Sequence, residues 1–205
     1  SFVAAVTDPA VEPKPDHAYV VLDMGGGSIE VVSGRTRNSV PAIKDQISCD
    51  LGSARVSEQL SKASYDLEKF EGWLDQELER FTIFAPVIGA DTILLGSVPT
   101  KIAWLQVRRS STDIYNPRLV AGANLDRDQA RAMAQEIMSV WRQDPDVARK
   151  FVDPRFSDDS ELKLVVSGLV LLEKILSRQQ RKNCRVSARG TRFGFALMLA
   201  ARQAN

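Results

Sequence analysis

Ala-Tyr-Val-Val-Leu-Asp-Met-Gly-Gly-Gly-Ser-Ile-Glu-Val-Val, residues 18–32, places two short apolar runs on either side of three consecutive glycines. The runs Ala18 to Leu22 and Ile29 to Val32 are rich in β-branched residues and too short for helices, so they read as buried strands joined by a turn. A dinucleotide-binding turn needs a further glycine three positions after Gly27 and then a helix; Glu30 stands there, followed by Val31-Val32. A Walker loop needs Gly-Lys-Ser/Thr, which is absent here. What remains is a tight strand-turn-strand whose side-chain-free centre lets backbone N–H groups converge on an anion, in the manner of a nest. Asp23 and Glu30 flank the turn as two hard oxygen ligands suited to Mg²⁺ beside a bound phosphate, and Ser28 offers its hydroxyl to a phosphate oxygen. A plain hairpin would also use these glycines, with Asp23 on turn amides and Glu30 solvated. Two carboxylates bracketing three glycines between buried strands favour the phosphate and metal cradle.

Outward from this turn the chain alternates strand and helix patterns. Ser1 to Val6 is small and apolar, and Pro9, Pro13 and Pro15 then predict irregular chain to about His17, a linker. Gly34 closes the second strand, and a third covers Val40 to Ile43 or Gln46 to Leu51. Leu67, Phe70, Leu74, Leu78 and Phe81 recur at helical spacing within Tyr65 to Phe84, predicting a helix packed on a sheet face and ended by Pro86. A strand at Thr92 to Leu95 precedes a helix with Pro99 in its first turn, running to Val107. Asp126 and Gln129 form a capping-box pattern for a helix with Ala130, Met133, Ile137 and Val140 inside, stopped by Asp144-Pro145. After a polar loop from Asp153 to Ser160, Leu162 to Leu176 is nearly continuous apolar helix, and Gly168 within it marks close packing. A short strand near Cys184 to Ser187 leads through Gly190 to Gly194 into a final apolar helix.

The 205 residues are 44% hydrophobic and 26% charged with a net charge of +1, which describes an ordinary globular chain and gives no global argument for nucleic acid. Apolar runs such as Leu164 to Leu172 are too short to span a bilayer and no basic-then-apolar leader opens the chain, so a cytoplasmic protein is expected. Cys49 and Cys184 are far apart and read as two buried structural thiols. The single histidine, His17, excludes a histidine-rich metal site, leaving carboxylates, hydroxyls, amides and basic side chains for chemistry. After Glu173 no acidic residue follows, while Lys174, Arg178, Arg181, Lys182, Arg185, Arg189, Arg192 and Arg202 do. This basic stretch suits a polyanion and equally suits solvated helix faces. Arg192 stands out because Gly190 and Gly194 flank it.

The octapeptide from Asp23 to Glu30 resembles the phosphate loop of the actin, sugar-kinase and Hsp70 superfamily. Its form is that of the Ppx/GppA phosphatases, Asp-x-Gly-Gly-Gly-Ser-Thr-Glu, with Ile29 in place of Thr. Asp50-Leu51-Gly52-Ser53-Ala54-Arg55-Val56 is similar to the family's Leu-Gly-Ala-Val-Arg stretch. Val165-Val166-Ser167-Gly168 is similar to its apolar helix with an internal glycine, and Val186 to Gly194 to its closing Gly-Leu-Arg-Glu-Gly motif. The resemblance implies an α/β fold of the actin type, a ribonuclease H-like mixed sheet with flanking helices. It implies that residues 18–205 form the second, C-terminal domain of an exopolyphosphatase or guanosine pentaphosphate phosphohydrolase, with residues 1–17 a linker from a missing first domain. That first domain would carry a second phosphate loop and the glutamate that activates water, so no catalytic base is expected in these residues and the fragment alone should turn over little.

The implied site is Gly25, Gly26, Gly27, Ser28, Gly52, Ser53 and Arg192 on phosphate and Asp23 and Glu30 on Mg²⁺. The implied partners are polyphosphate or guanosine pentaphosphate and the protein's own N-terminal domain, with neither membrane nor nucleic acid; oligomeric state stays open, a homodimer included. Three departures stand out: Val98-Pro99 where the family has Gly-Thr, Phe193 where Glu is usual, and Glu161 and Lys163 where Arg and Asp are common. They keep a second reading in view, a non-catalytic nucleotide or alarmone sensor that retains the cradle. An ATP-using kinase or ATPase of the superfamily ranks last, since Gly190 to Gly194 is a poor adenosine pocket.

Overall fold

Alternation along the first strand divides the molecule into two layers around one sheet. In β1 (Ala18–Met24) the side chains of Val20, Leu22 and Met24 enter the larger core, while Tyr19 and Val21 enter a smaller one on the opposite face. The computed structural model describes residues 1–85, 87–108, 114–152 and 158–203, without the side chains of 201–203. The further strands are β2 (Ile29–Arg37), β3 (Val40–Cys49), β4 (Asp91–Leu95), β5 (Asn124–Asp126) and β6 (Asn183–Val186). They form a six-stranded mixed sheet in the order β3-β2-β1-β4-β6-β5, antiparallel at β3-β2, β2-β1 and β6-β5 and parallel at β1-β4 and β4-β6.

The helices are α1 (Phe2–Val6), α2 (Ser53–Lys62), α3 (Leu67–Glu79), α4 (Ser97–Val107), α5 (Pro117–Val120), α6 (Arg127–Gln143), α7 (Pro145–Val152), α8 (Ser160–Arg178) and α9 (Thr191–Gln203). The hub is α8, buried nearly all round from Leu162 to Leu176, with α2, α3, α4, α6 and α7 packed on it. Gly168 has the predicted role: a Cβ there would lie 2.3 Å from Val98 Cγ1, so the two residues share one space between α8 and α4. Asp126 caps α6 as expected, accepting from the amides of Asp128 and Gln129 at 2.8 and 3.1 Å.

Several expectations need correction. The stretch expected to be irregular to His17 contains a 3-10 turn at Pro9–Val11, and Val11 is buried with Phe2, Ala4, Ala5 and Val6 of α1 and with Tyr19, Val21, Val32, Ile93 and Leu95 in the smaller core. Gly34 does not close β2; it lies within it at a shift of register, where a Cβ would sit 2.5 Å from the Ala42 carbonyl oxygen and 2.7 Å from the Phe2 ring. The two segments proposed for the third strand are parts of one strand, β3, which runs through Val40 to Ile43 and ends at Cys49 short of Asp50 and Leu51; it is mostly exposed and hence lacks clean alternation. Phe70, Leu74 and Leu78 of α3 are buried as predicted, but against α8 and α2 and not on the sheet. Asp144-Pro145 ends α6 and at once begins α7, since Asp144 accepts from the amides of Asp146 and Val147 and proline suits the first helical position. Pro86 and residues 153–157 of the expected polar loop lie outside the described residues.

Both thiols are free and buried. Loss of solvation, with Glu30 nearby, pushes the Cys49 thiol up to about 11, and burial raises that of Cys184 as well, so both stay protonated and inert.

Candidate functional site

The turn between β1 and β2 is built from its register. Asp23 pairs directly with Glu30, Glu30 with Ser48 of β3, and Asp23 with Leu95 of β4, so one row across the sheet carries Ser48, Glu30 and Asp23 side by side. Like charges directly opposite each other on neighbouring strands cost stability, and no basic side chain pairs with either among the described residues. Alternation puts the pair on the face that α1 and α9 cover. Hydroxyls hold both groups: Thr191 Oγ1 donates to Asp23 Oδ2 at 2.6 Å, Ser48 Oγ donates to Glu30 Oε1 at 3.2 Å, and Ser28 Oγ donates to the same oxygen.

The three glycines are held from behind. The Gly25 amide donates to the Ser28 carbonyl at 3.0 Å, closing the turn. The amides of Gly52, Ser53 and Ala54 then donate to the carbonyls of Gly27, Gly25 and Gly26 at 3.2, 2.9 and 2.9 Å. The opening amides of a helix have no partner within it. Here the loop carbonyls supply that partner at the start of α2, and α2 in turn turns every glycine carbonyl away from the open side. The amides of Gly26, Gly27 and Ser28 donate to nothing among the described residues. Gly52 and Ser53, expected to touch phosphate themselves, therefore serve as a buttress with their amides.

None of Gly25, Gly26 and Gly27 has a positive φ, so the nest-like alternation expected from three glycines is absent. Only Gly25 is crowded, its Cβ position lying 3.2 Å from the Ser28 carbonyl oxygen. At Gly26 and Gly27 a Cβ would meet nothing within 4 Å, and both residues are exposed. The fold does not require glycine at either place.

Around this cradle α4 and α9 begin. Gly96, at φ +106°, lets the chain pass the end of β1, where a Cβ would sit 2.4 Å from the Met24 carbonyl oxygen. Val98 and Pro99 are both buried, Val98 against Gly168, so this departure from the family pattern is absorbed by packing. The start of α9 is clamped to the N-terminal segment: Ser187 Oγ donates to the buried Asp8 carboxylate at 2.6 Å. Arg189 donates to the Thr7 carbonyl at 2.9 Å, and its guanidinium lies 4.2 Å from the Phe193 ring centroid. Phe193 thus has a cationic partner of its own, and Glu161 pairs with Lys101. Arg192 is exposed, next to Thr191, and its side chain has no partner among the described residues.

The structure brings together Asp23, Glu30, the glycine turn and Ser28 and backs them with Gly52 and Ser53, while Arg192 is exposed one residue beyond Thr191, which bonds Asp23. Thr191 and Ser48 are the residues that sequence reading missed. Thr191 stands in the closing motif beside Gly190, and Ser48 lies two residues before Asp50-Leu51-Gly52, but only strand register reveals the contact of Ser48 and only the tertiary packing of α9 that of Thr191. No cluster of three or more His, Cys, Asp or Glu occurs among the described residues. Mg²⁺ asks for less: one or two carboxylates, with water and substrate phosphate completing its shell. The adjacent Asp23 and Glu30 fit that demand.

A model of the Ppx/GppA phosphatase family matches residues 10–203. No curated protein matches the chain at the level of sequence. Among solved structures, the type II variant of the Aquifex aeolicus Ppx/GppA phosphatase is similar, with 23% identity, a TM-score of 0.73 and coverage of 96% of this chain and 62% of that one. An exopolyphosphatase-like protein is 17% identical over 98% of this chain and 65% of its own, with a TM-score of 0.73. An exopolyphosphatase from Cytophaga hutchinsonii is 16% identical with a TM-score of 0.56, over 91% of this chain and 58% of its own. The chain therefore spans less than two thirds of the length of these relatives, and at such identities they establish the fold alone.

Proposed function

Because the chain belongs to the Ppx/GppA phosphatase family, we propose that it is the second domain of a Mg²⁺-dependent phosphoanhydride hydrolase that removes terminal phosphate from polyphosphate or guanosine pentaphosphate. The observation that carries this reading is the bare backbone at Gly26 and Gly27, where neither space nor φ calls for glycine. Phosphate seated on that backbone receives the amides of Gly26, Gly27 and Ser28, which the fold leaves unused, while α2 keeps the repelling carbonyls turned away. Ser28 and Ser48 orient Glu30, and Thr191 orients Asp23, so that both carboxylates stay aimed at the same place. Mg²⁺ held by Asp23 and Glu30 would neutralise charge on the phosphate chain. Arg192 at the rim attracts the rest of a polyanion. The base that activates water is assigned to a preceding domain, and the cleft between the two domains is the place of reaction. Among the described residues no helix is long and apolar enough to cross a membrane.

Gly27→Ala tests this reading. With φ negative and open space around the Cβ position, the substitution should leave stability within about 1 kcal/mol of the parent or slightly above it. It should nevertheless raise KM for a polyphosphate or guanosine pentaphosphate substrate at least about tenfold in the full-length protein, because a methyl group stands where phosphate approaches. Unchanged kinetics would remove the basis of the cradle. Residues 1–205 alone should release little phosphate, since loss of a general base costs about 10²–10⁴ in rate; robust turnover by them would overturn the two-domain account. Tight binding of guanosine tetraphosphate without any hydrolysis by the full-length protein would instead favour the sensor.

A further inference from the structure

At the end of β1 opposite the glycine turn, the starts of β1, β4 and β6 and the chain just after α8 line an open cavity of about 580 Å³. That volume lies in the range that takes nucleotide-sized ligands. Four cationic side chains line it, Lys14, Arg181, Lys182 and Arg185, against one carboxylate, Asp91. Asp91 is already neutralised: Lys14 Nζ donates to it at 2.8 Å and His17 Nε2 lies 3.1 Å away. Arg185 pairs at 2.8 Å with Glu12, which stands outside the lining. Arg181 gives one donor to the Val87 carbonyl at 2.7 Å and keeps the others. The Lys182 ammonium has no hydrogen bond or ion pair among the described residues; the acid it influences, Asp128, is held by Arg127 at 2.9 Å.

Cations near the end of α8 offset its dipole, which explains Arg181 and Lys182 in part but not Lys14 and Arg185, brought from the N-terminal segment and from β6. A further donor stands behind the wall. Thr92, which lines the cavity, donates to Gln179 Oε1 at 2.9 Å, while Gln179 Nε2 is buried without an acceptor. Positive charge in excess of its carboxylates, concentrated in a concave site, raises the local concentration of anions.

We infer that this cavity is a second anion site, separate from the glycine turn, and that it takes a compact molecule carrying two or more phosphate groups. Lys182, Arg181 and the free face of Arg185 contact the phosphates, and Lys14 is released toward them as it exchanges Asp91. A site at the far end of the same strand from the turn gives phosphorylated metabolites access to the domain without competing for the cradle.

Calorimetric titration of the full-length protein with inorganic triphosphate tests this. The expected result is a binding event that persists in Gly27→Ala, weakens about threefold in Lys182→Gln and at least about tenfold in Arg181→Gln/Lys182→Gln, and fades at about 0.5 M NaCl. Lys182→Gln removes no bond of the fold, so its loss of affinity cannot be ascribed to unfolding. Triphosphate binding abolished altogether by Gly27→Ala, or isotherms for Lys182→Gln and the double variant that match the parent, would overturn the assignment.

Discussion

Asp23→Ala and Glu30→Ala, each made in the full-length protein, are expected to lower phosphate release at least about 100-fold while leaving the melting temperature close to that of the parent. The two halves of that result come from one fact of register. Asp23 and Glu30 face each other across β1 and β2, so they repel, and deleting either relieves a cost that the fold otherwise bears. Against that relief stands the loss of a hydrogen bond from Thr191 to Asp23, or from Ser28 and Ser48 to Glu30, about 1 kcal/mol each. Stability should therefore change by no more than about 1 kcal/mol in either direction. Asp23→Asn sharpens the test, since the amide oxygen still accepts from Thr191 but brings no charge to a metal. Its rate should fall with Asp23→Ala, and its half-maximal Mg²⁺ concentration should rise. Parent-like rates in both alanine variants would remove these residues from the site.

Gly52→Ala should fail in a different way, through the fold. A Cβ at residue 52 would stand 2.1 Å from the Gly27 carbonyl carbon, 2.3 Å from the Ser28 nitrogen and 2.4 Å from the Gly26 carbonyl oxygen. All three are backbone atoms, so no side chain can swing aside to relieve the overlap. Either α2 withdraws, surrendering the three amide bonds that hold the glycine carbonyls, or the turn is displaced. The expected outcome is a loss of about 2–3 kcal/mol in urea denaturation together with at least about a 100-fold fall in phosphate release. The contrast with Gly27→Ala is the point of the pair, because an identical substitution 25 positions earlier meets open space. A Gly52→Ala protein as stable as the parent would show that the buttress does not hold the turn.

Parts of this architecture were legible in the amino acids because the interactions behind them are local. Ala18 to Leu22 and Ile29 to Val32 could only be strands joined by a turn, and Asp126 with Gln129 announced the start of α6 within four residues. The apolar run of α8, with Gly168 marking close packing, was readable for the same reason. Other parts were not legible. β3 lies at the sheet edge with most of its side chains in water, so burial imposed no alternation. β5 has three residues and exists because β6 offers it an edge. Phe2 to Val6 showed as small and apolar, but five residues carry too little pattern to reveal that they pack on the sheet face beneath Tyr19 and Val21.

The sequence by itself determined that two carboxylates flank a run of glycines between paired strands, and a short turn forces Asp23 opposite Glu30. Only the tertiary structure decided what that turn can do. It delivers α2 behind the glycine carbonyls and brings Thr191 to Asp23 across 168 residues. Local propensity acts over a few residues, whereas these bonds form only once the sheet order has placed distant segments side by side.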